Sequence, residues 1–128
     1  MKGKSGLWIT LGMILLVVVP VVIFAMVSTK EKKVEPGKHD EFAQCLTDKG
    51  VKMWGAYWCP SCKNQKDLFG SSFEKVKYIE CSLPGGQAQT EECTEAGITG
   101  YPTWEFADGS RISGETSLEV LAEKSQCE

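Results

Sequence analysis

Histidine is almost missing from this chain of 128 residues, which has one, His39, away from the only close pair of cysteines. A zinc site needs a second pair of ligands at similarly tight spacing. Besides Cys59 and Cys62, the cysteines are Cys45, Cys81, Cys93 and Cys127, and no two of these are neighbours in sequence. The pattern argues against zinc, and no metal is expected. Basic residues are also scarce: residues 41–128 carry 8 basic and 14 acidic side chains, with no basic stripe. Nucleic acid is therefore not an expected partner. The acidic excess reads as a solvated surface. No nucleotide or flavin signature and no internal repeat occurs, so no cofactor is expected beyond a cysteine pair.

Charge is wholly lacking over the 21 residues from Leu7 to Val27. Roughly 20 apolar residues span a bilayer, whereas the core of a signal peptide has about 7–15. The length predicts one retained transmembrane helix over 7–27; small residues at Ala25–Ser28 leave cleavage open as an alternative. Lys2 and Lys4 precede the run, and Lys30, Lys32 and Lys33 follow it, so positive charge alone does not orient it. A short N-terminus over 1–6 normally stays in the cytoplasm. Six cysteines in so small a chain point the same way, because disulfides persist outside the cytosol. The expected arrangement is a cytoplasmic-membrane protein with a single span, a polar linker over 28–37 and an extracytoplasmic domain over 38–128.

The chemistry concentrates at Tyr57-Trp58-Cys59-Pro60-Ser61-Cys62-Lys63. An apolar run precedes this stretch and a helix-like segment follows, giving strand, turn and helix with Cys59 at the helix start. Unpaired N–H groups and the positive end of the macrodipole stabilise a thiolate there. Pro60 fits the first helical position, where a missing N–H costs nothing. A lowered pKa and an exposed position would make Cys59 the attacking thiolate, with Cys62 one turn behind it to close or resolve a disulfide. The rival readings are half of a zinc site and a purely structural bridge.

The remaining elements follow from period and punctuation. Asp40 is the expected cap of a helix to about Asp48, with Phe42, Ala43, Cys45 and Leu46 on its apolar side and Lys49-Gly50 ending it. Val51–Tyr57 is the expected first core strand. The helix after Cys59 runs to Phe69-Gly70, its polar residues being Lys63 to Asp67, with Leu68 and Phe69 turned inward. Lys75–Cys81 alternates as a strand does. Gln89–Ala96 reads as a helix, Thr103–Phe106 and Arg111-Ile112 as a hairpin about Asp108-Gly109, and Ser117–Ser125 as a helix with Leu118, Val120, Leu121 and Ala122 on one face. The order α-β-α-β-α-β-β-α describes an α/β domain whose last two strands are antiparallel.

With W-C-P-S-C at a strand-to-helix turn and Tyr101-Pro102 before the hairpin, residues 38–127 resemble a thioredoxin-like fold, a mixed sheet flanked by helices. The strings K-M-W-G-A-Y-W-C-P-S-C-K-N-Q-K-D-L-F-G and A-Q-T-E-E-C with Y-P-T-W-E more specifically resemble the thioredoxin-like domain fused to bacterial and plant vitamin K epoxide reductase homologues. That domain passes electrons from substrate thiols to a membrane-embedded, quinone-linked oxidase. The resemblance implies Cys59 as nucleophile, Cys62 as resolving cysteine and Pro102 as the cis-proline beside the dithiol. It further implies a substrate-facing role for Trp58, Pro60 and the Tyr101 backbone. An ordinary trans turn at Tyr101-Pro102 and simple packing of Trp58 are the alternatives. The buried aspartate that cytosolic thioredoxins carry six residues before the first cysteine is Met53 here, a departure that suits a dithiol accepting electrons.

The same resemblance implies a second disulfide between Cys81 and Cys93, with a relay dithiol as the sharper alternative; such a bridge contributes about 3 kcal/mol by loop closure. Cys45 and Cys127 are left over, either paired or with Cys45 a buried free thiol. The expected function is a membrane-tethered thiol–disulfide oxidoreductase acting on cysteine-containing exported proteins. Its oxidised pair would be recycled by a vitamin K epoxide reductase-like or other membrane thiol oxidase. The rivals are a disulfide reductase, for example in cytochrome c assembly, an isomerase, and a non-enzymatic assembly factor with a structural C-x-x-C.

Overall fold

The computed structural model describes residues 37–128 and, before them, residues 12–14, 16 and 19. The chain divides into two compact units, Met1–Val34 and Glu35–Glu128. In the first, the described residues are helical, and Met13, Ile14, Leu16 and Val19 are exposed. The expected N-terminus over 1–6, the rest of the expected span over 7–27 and the linker up to residue 36 lie outside the described residues. No helix among the described residues is long and apolar enough to cross a membrane.

The second unit runs α1 (Asp40–Asp48), β1 (Lys52–Gly55), α2 (Pro60–Phe69), a 3-10 turn (Gly70–Lys75), β2 (Lys77–Glu80), α3 (Glu91–Glu95), β3 (Thr103–Glu105), β4 (Arg111–Ser113) and α4 (Leu118–Ser125). Its four strands form one sheet in the order β2-β1-β3-β4. The β1–β2 pair is parallel, as a crossover through α2 requires, while β1–β3 and β3–β4 are antiparallel. This is the mixed, helix-flanked sheet that the resemblance implies. The strands are shorter than their apolar runs, because Val51 and Ala56 are buried without joining the ladder.

β1 is buried on both faces. Successive strand residues point to opposite sides, and Met53 and Trp54 are 0% and 3% exposed. Met53 joins the larger core with Phe42, Leu46, Phe69, Trp104 and Leu121. Trp54 joins a smaller one with Cys81, Cys93 and Ile98. Phe69 anchors the larger core: its ring lies 5.9 Å from those of Phe42, Phe73 and Trp104.

Four local expectations are corrected. Asp40 does not cap α1; His39 holds that position without a side-chain bond, and Asp40 sits in the first turn, where a carboxylate favours the helix dipole. Leu68 is 46% exposed, whereas Gln65 is fully buried. The cause is helical geometry: Cys62, Gln65 and Phe69 fall on one stripe, and Leu68 lies off it. The Gln65 side chain is satisfied there, donating to the Thr116 carbonyl at 2.9 Å and accepting from the Thr116 N–H at 2.7 Å. On α4, Val120 is 44% exposed, since Leu121 and Ser125, one turn apart, are the pair that faces in. Finally, α3 is shorter than Gln89–Ala96, because Thr90 caps it by accepting from the Cys93 N–H.

Two disulfides are formed. Cys81 joins Cys93 across 12 residues, and Cys45 on α1 joins Cys127, 82 residues away, beyond α4. Loop closure of these lengths contributes roughly 3 and 4–5 kcal/mol. Lys49 reinforces the second junction, its ammonium donating to the carbonyls of Ser125 and Gln126.

The packing yields a paired test. Phe69→Ala should destabilise the domain by about 3–5 kcal/mol in urea unfolding, whereas Leu68→Ala should stay within about 0.5 kcal/mol. Equal losses at the two positions would contradict the burial assigned to α2.

Candidate functional site

The site is built where β1 hands the chain to α2. After Gly55 the backbone turns, the Cys59 N–H donating to the Ala56 carbonyl at 3.1 Å. Cys59 then caps α2 with extended backbone angles, and its Sγ accepts the Cys62 N–H at 3.1 Å. Pro60 occupies the first helical position and is exposed. Cys59 and Cys62 are not joined to each other or to another cysteine. Both are also buried, at 6% and 1% exposure, so the open position expected for Cys59 is corrected. Its sulfur turns in toward the helix end, with the Tyr101 carbonyl 3.7 Å away on the other side.

Tyr101-Pro102 is a cis peptide bond, and Pro102 is fully buried. The Tyr101 hydroxyl accepts from Gln89 at 2.7 Å, which holds the tyrosine in place. Trp58 is both exposed and packed. It is 52% exposed, yet its indole N–H donates to Ser82 at 2.8 Å and its ring meets Tyr101 edge-on at 6.0 Å. Trp58, Ser82, Gln89 and Tyr101 line a shallow cavity of about 200 Å³ beside the dithiol. Cys81 and Cys93 are fully buried in their disulfide behind it, while Cys45 and Cys127 are part of a separate junction between α1 and the end of α4. No group of His, Cys, Asp or Glu among the described residues is arranged to hold a metal.

Three residues near the dithiol escaped the sequence reading. Gly55 faces Cys62: a Cβ there would lie 3.2 Å from the Cys62 sulfur, 3.2 Å from the Tyr78 hydroxyl and only 2.8 Å from the Tyr78 ring. Tyr78, opposite Met53 in the parallel ladder, donates to Glu80 at 2.7 Å. Glu80 in turn accepts from the Tyr57 and Ser82 N–H groups at 3.2 and 2.9 Å, gripping the turn before the dithiol. A glycine directly before the C-x-x-C turn was the available signal, since glycine inside a strand marks close approach. Glu80 read only as one polar residue in an alternating strand.

The environment acts strongly on Cys62. Burial, and after it hydrogen bonding with the Cys59 side chain, pushes its thiol up to about 12, against smaller lowering contributions from the Ala56 backbone and Lys66. Burial likewise pushes the Tyr78 phenol above its ordinary range, as does its bond to Glu80.

No protein-family model matches the chain. Thiol-disulfide oxidoreductase LTO1 of Arabidopsis thaliana is 41% identical over 85 residues, which is 63% of this chain and 22% of that protein. The chain thus spans less than a quarter of that relative. A crystal structure of Fasciola hepatica thioredoxin superposes at a TM-score of 0.41 and 22% identity, over 61% of this chain and 79% of the thioredoxin.

Cys62 generates an alkaline signature. Its native pKa lies above the ordinary 9.0, so between these values the folded state binds more protons than the unfolded one, and stability falls as pH rises. Reduced protein should lose up to ~1.4 kcal/mol per pH unit relative to Cys62→Ser over that window. The difference should be constant below the ordinary value. Urea titrations of both proteins from neutral to alkaline pH measure it, and parallel curves would contradict the burial of the thiol.

Proposed function

We propose that this chain is a thiol–disulfide oxidoreductase whose working groups are Cys59 and Cys62. The observation that carries the reading is the asymmetry of the pair: Cys59 receives a helix N–H at its sulfur, while Cys62 is sealed behind it with a raised pKa. One sulfur is set up to carry negative charge and meet a partner, the other to act only within the protein. The 41% identity to a plant protein named for this chemistry supports the same reading.

In the oxidising direction a substrate thiolate attacks the Cys59 sulfur, the Cys59–Cys62 bond breaks, and Cys62 leaves with the electron pair. A second substrate thiolate then attacks the mixed disulfide and releases Cys59. The substrate is oxidised and the pair reduced by two electrons. For recycling, Cys59 attacks a disulfide of the oxidase, and Cys62 displaces the oxidase thiolate from Cys59. The exposed Tyr57 and Trp58, the cavity beside them and the Tyr101 backbone form the surface against which an extended cysteine-containing chain would lie. The exposed Pro60 would border it, and the buried Pro102 would hold the Tyr101 backbone against it.

The setting we propose is extracytoplasmic and membrane-tethered. The charge-free run Leu7–Val27 and the two disulfides away from the dithiol support it. Exported proteins are the proposed substrates. A membrane thiol oxidase of the vitamin K epoxide reductase type is the proposed electron acceptor, by resemblance of the dithiol segment.

Cys59→Ser should abolish exchange with a dithiol peptide, and Cys62→Ser should trap mixed disulfides with partner proteins on Cys59. Loss of exchange in Cys59→Ser with the protein's function in the cell intact would leave only a structural bridge. Equilibration with glutathione separates the directions of electron flow: oxidising couples of this fold lie at about -120 to -180 mV and thioredoxin at about -270 mV. A value near the latter would replace the oxidant by a reductase.

A further inference from the structure

Two residues flank Cys59: Trp58 precedes it in the chain, and the Tyr101 carbonyl faces its sulfur. One short stretch of chain, Glu80 to Gln89, holds both of them. We propose that this stretch is a positioning clamp for polypeptide partners, in which Glu80, Ser82 and Gln89 act through Tyr57, Trp58 and Tyr101 and not on the sulfurs. The inference rests on the reading of Cys59 and Cys62 as an exchanging pair.

The loop is closed on itself. Ser82 and Gln89 face each other in an antiparallel bridge, and the Leu83 N–H donates to the Ala88 carbonyl at 2.9 Å. At its base the Thr90 N–H donates to the Cys81 carbonyl at 2.8 Å, and the Cys81–Cys93 disulfide joins the strand before the loop to the helix after it. The loop therefore has two feet at a fixed spacing. On the first, one Glu80 oxygen accepts from the Tyr57 and Ser82 N–H groups, and the Ser82 hydroxyl accepts the Trp58 indole N–H at 2.8 Å. On the second, the Gln89 amide donates to the Tyr101 hydroxyl at 2.7 Å and to the Ile98 carbonyl at 2.9 Å. Between the feet, Gly86 has a positive φ of 71°, and a Cβ there would lie 3.2 Å from the Trp58 ring and 3.4 Å from the Tyr57 hydroxyl. Only glycine lets the loop lie this close to both aromatic side chains.

Tyr57 and Trp58 are more than half exposed, so burial does not fix them; the polar contacts of the loop do. A surface ordered before its partner arrives spares the partner the cost of ordering it, and that gain goes to a ligand large enough to lie on the surface. A polypeptide reaches Trp58 and Tyr101 on both sides of Cys59, whereas a small dithiol reaches little beyond the sulfur. None of the clamp's contacts needs a proton to move. Glu80→Gln therefore preserves the clamp: the glutamine oxygen accepts the same two N–H groups, and its amide donates to the Tyr78 hydroxyl. Glu80→Ala removes the foot.

The test uses the full chain in detergent with its Cys59–Cys62 pair oxidised. It is mixed with rising concentrations of a reduced two-cysteine peptide or of dithiothreitol, and reduction of the pair is followed by alkylating Cys59 and Cys62. In Ser82→Ala, Gln89→Ala and Glu80→Ala, the peptide reaction should slow by about tenfold, through a higher half-saturating concentration at a similar limiting rate. The slowing should be at least about fivefold greater with the peptide than with dithiothreitol, and Glu80→Gln should recover the parent's peptide rate to within about twofold. Equal slowing with both reductants would overturn the clamp, as would parent-level peptide rates in either Ser82→Ala or Gln89→Ala. Glu80→Gln as slow as Glu80→Ala would overturn it too, by assigning the effect to the charge. Should one variant fail to fold, the others decide. A parent whose Cys59–Cys62 pair does not react with the peptide would instead overturn the proposed function, so the two failures are distinguishable.

Discussion

The hydrogen bond from the Cys62 N–H to the Cys59 sulfur sets the start of α2, and the placement of the other side chains on that helix follows from it. Counting from this start, Cys62, Gln65 and Phe69 face inward, while Lys63 and Leu68 face solvent. Phe69 then meets the aromatic rings of α1, the 3-10 turn and β3, and Gln65 ties the helix to the backbone at Thr116. The same contact that offers a sulfur the end of a helix also registers that helix against the core. The cap and the proposed active group are one residue.

β1 carries the complementary constraint. It is central in the sheet, and Met53 and Trp54 are buried on its two faces. Tyr78 and Glu80 reach the turn before the dithiol from the neighbouring strand β2.

Much of this was legible in the chain itself. The element order, the dithiol at a strand-to-helix turn and the hairpin about Asp108-Gly109 all follow from local signals, namely apolar runs, helix-start residues and turn residues. Features that depend on three-dimensional register were not. Leu68 looked like core because it is apolar, and Gln65 like surface because it is polar, yet the phase of α2 reverses both. Asp40 had the chemistry of a cap but sits one residue too late. Glu80 looks like any charged residue alternating along a strand. Its grip on Tyr57, Ser82 and Tyr78 exists only because β2 runs parallel to β1 and ends level with the dithiol turn.

The junction between α1 and the end of α4 has a mechanical consequence. Gly37–Phe42 and Glu128 border one cavity, so the chain enters and leaves the second unit at the same place. The Cys45–Cys127 bond closes a covalent ring just inside that point. Tension entering at residue 37 and leaving at residue 128 would pass through this bond, bypassing the sheet. A partner pulling on either end would tug at the doorway while the dithiol, inside the ring, kept its geometry.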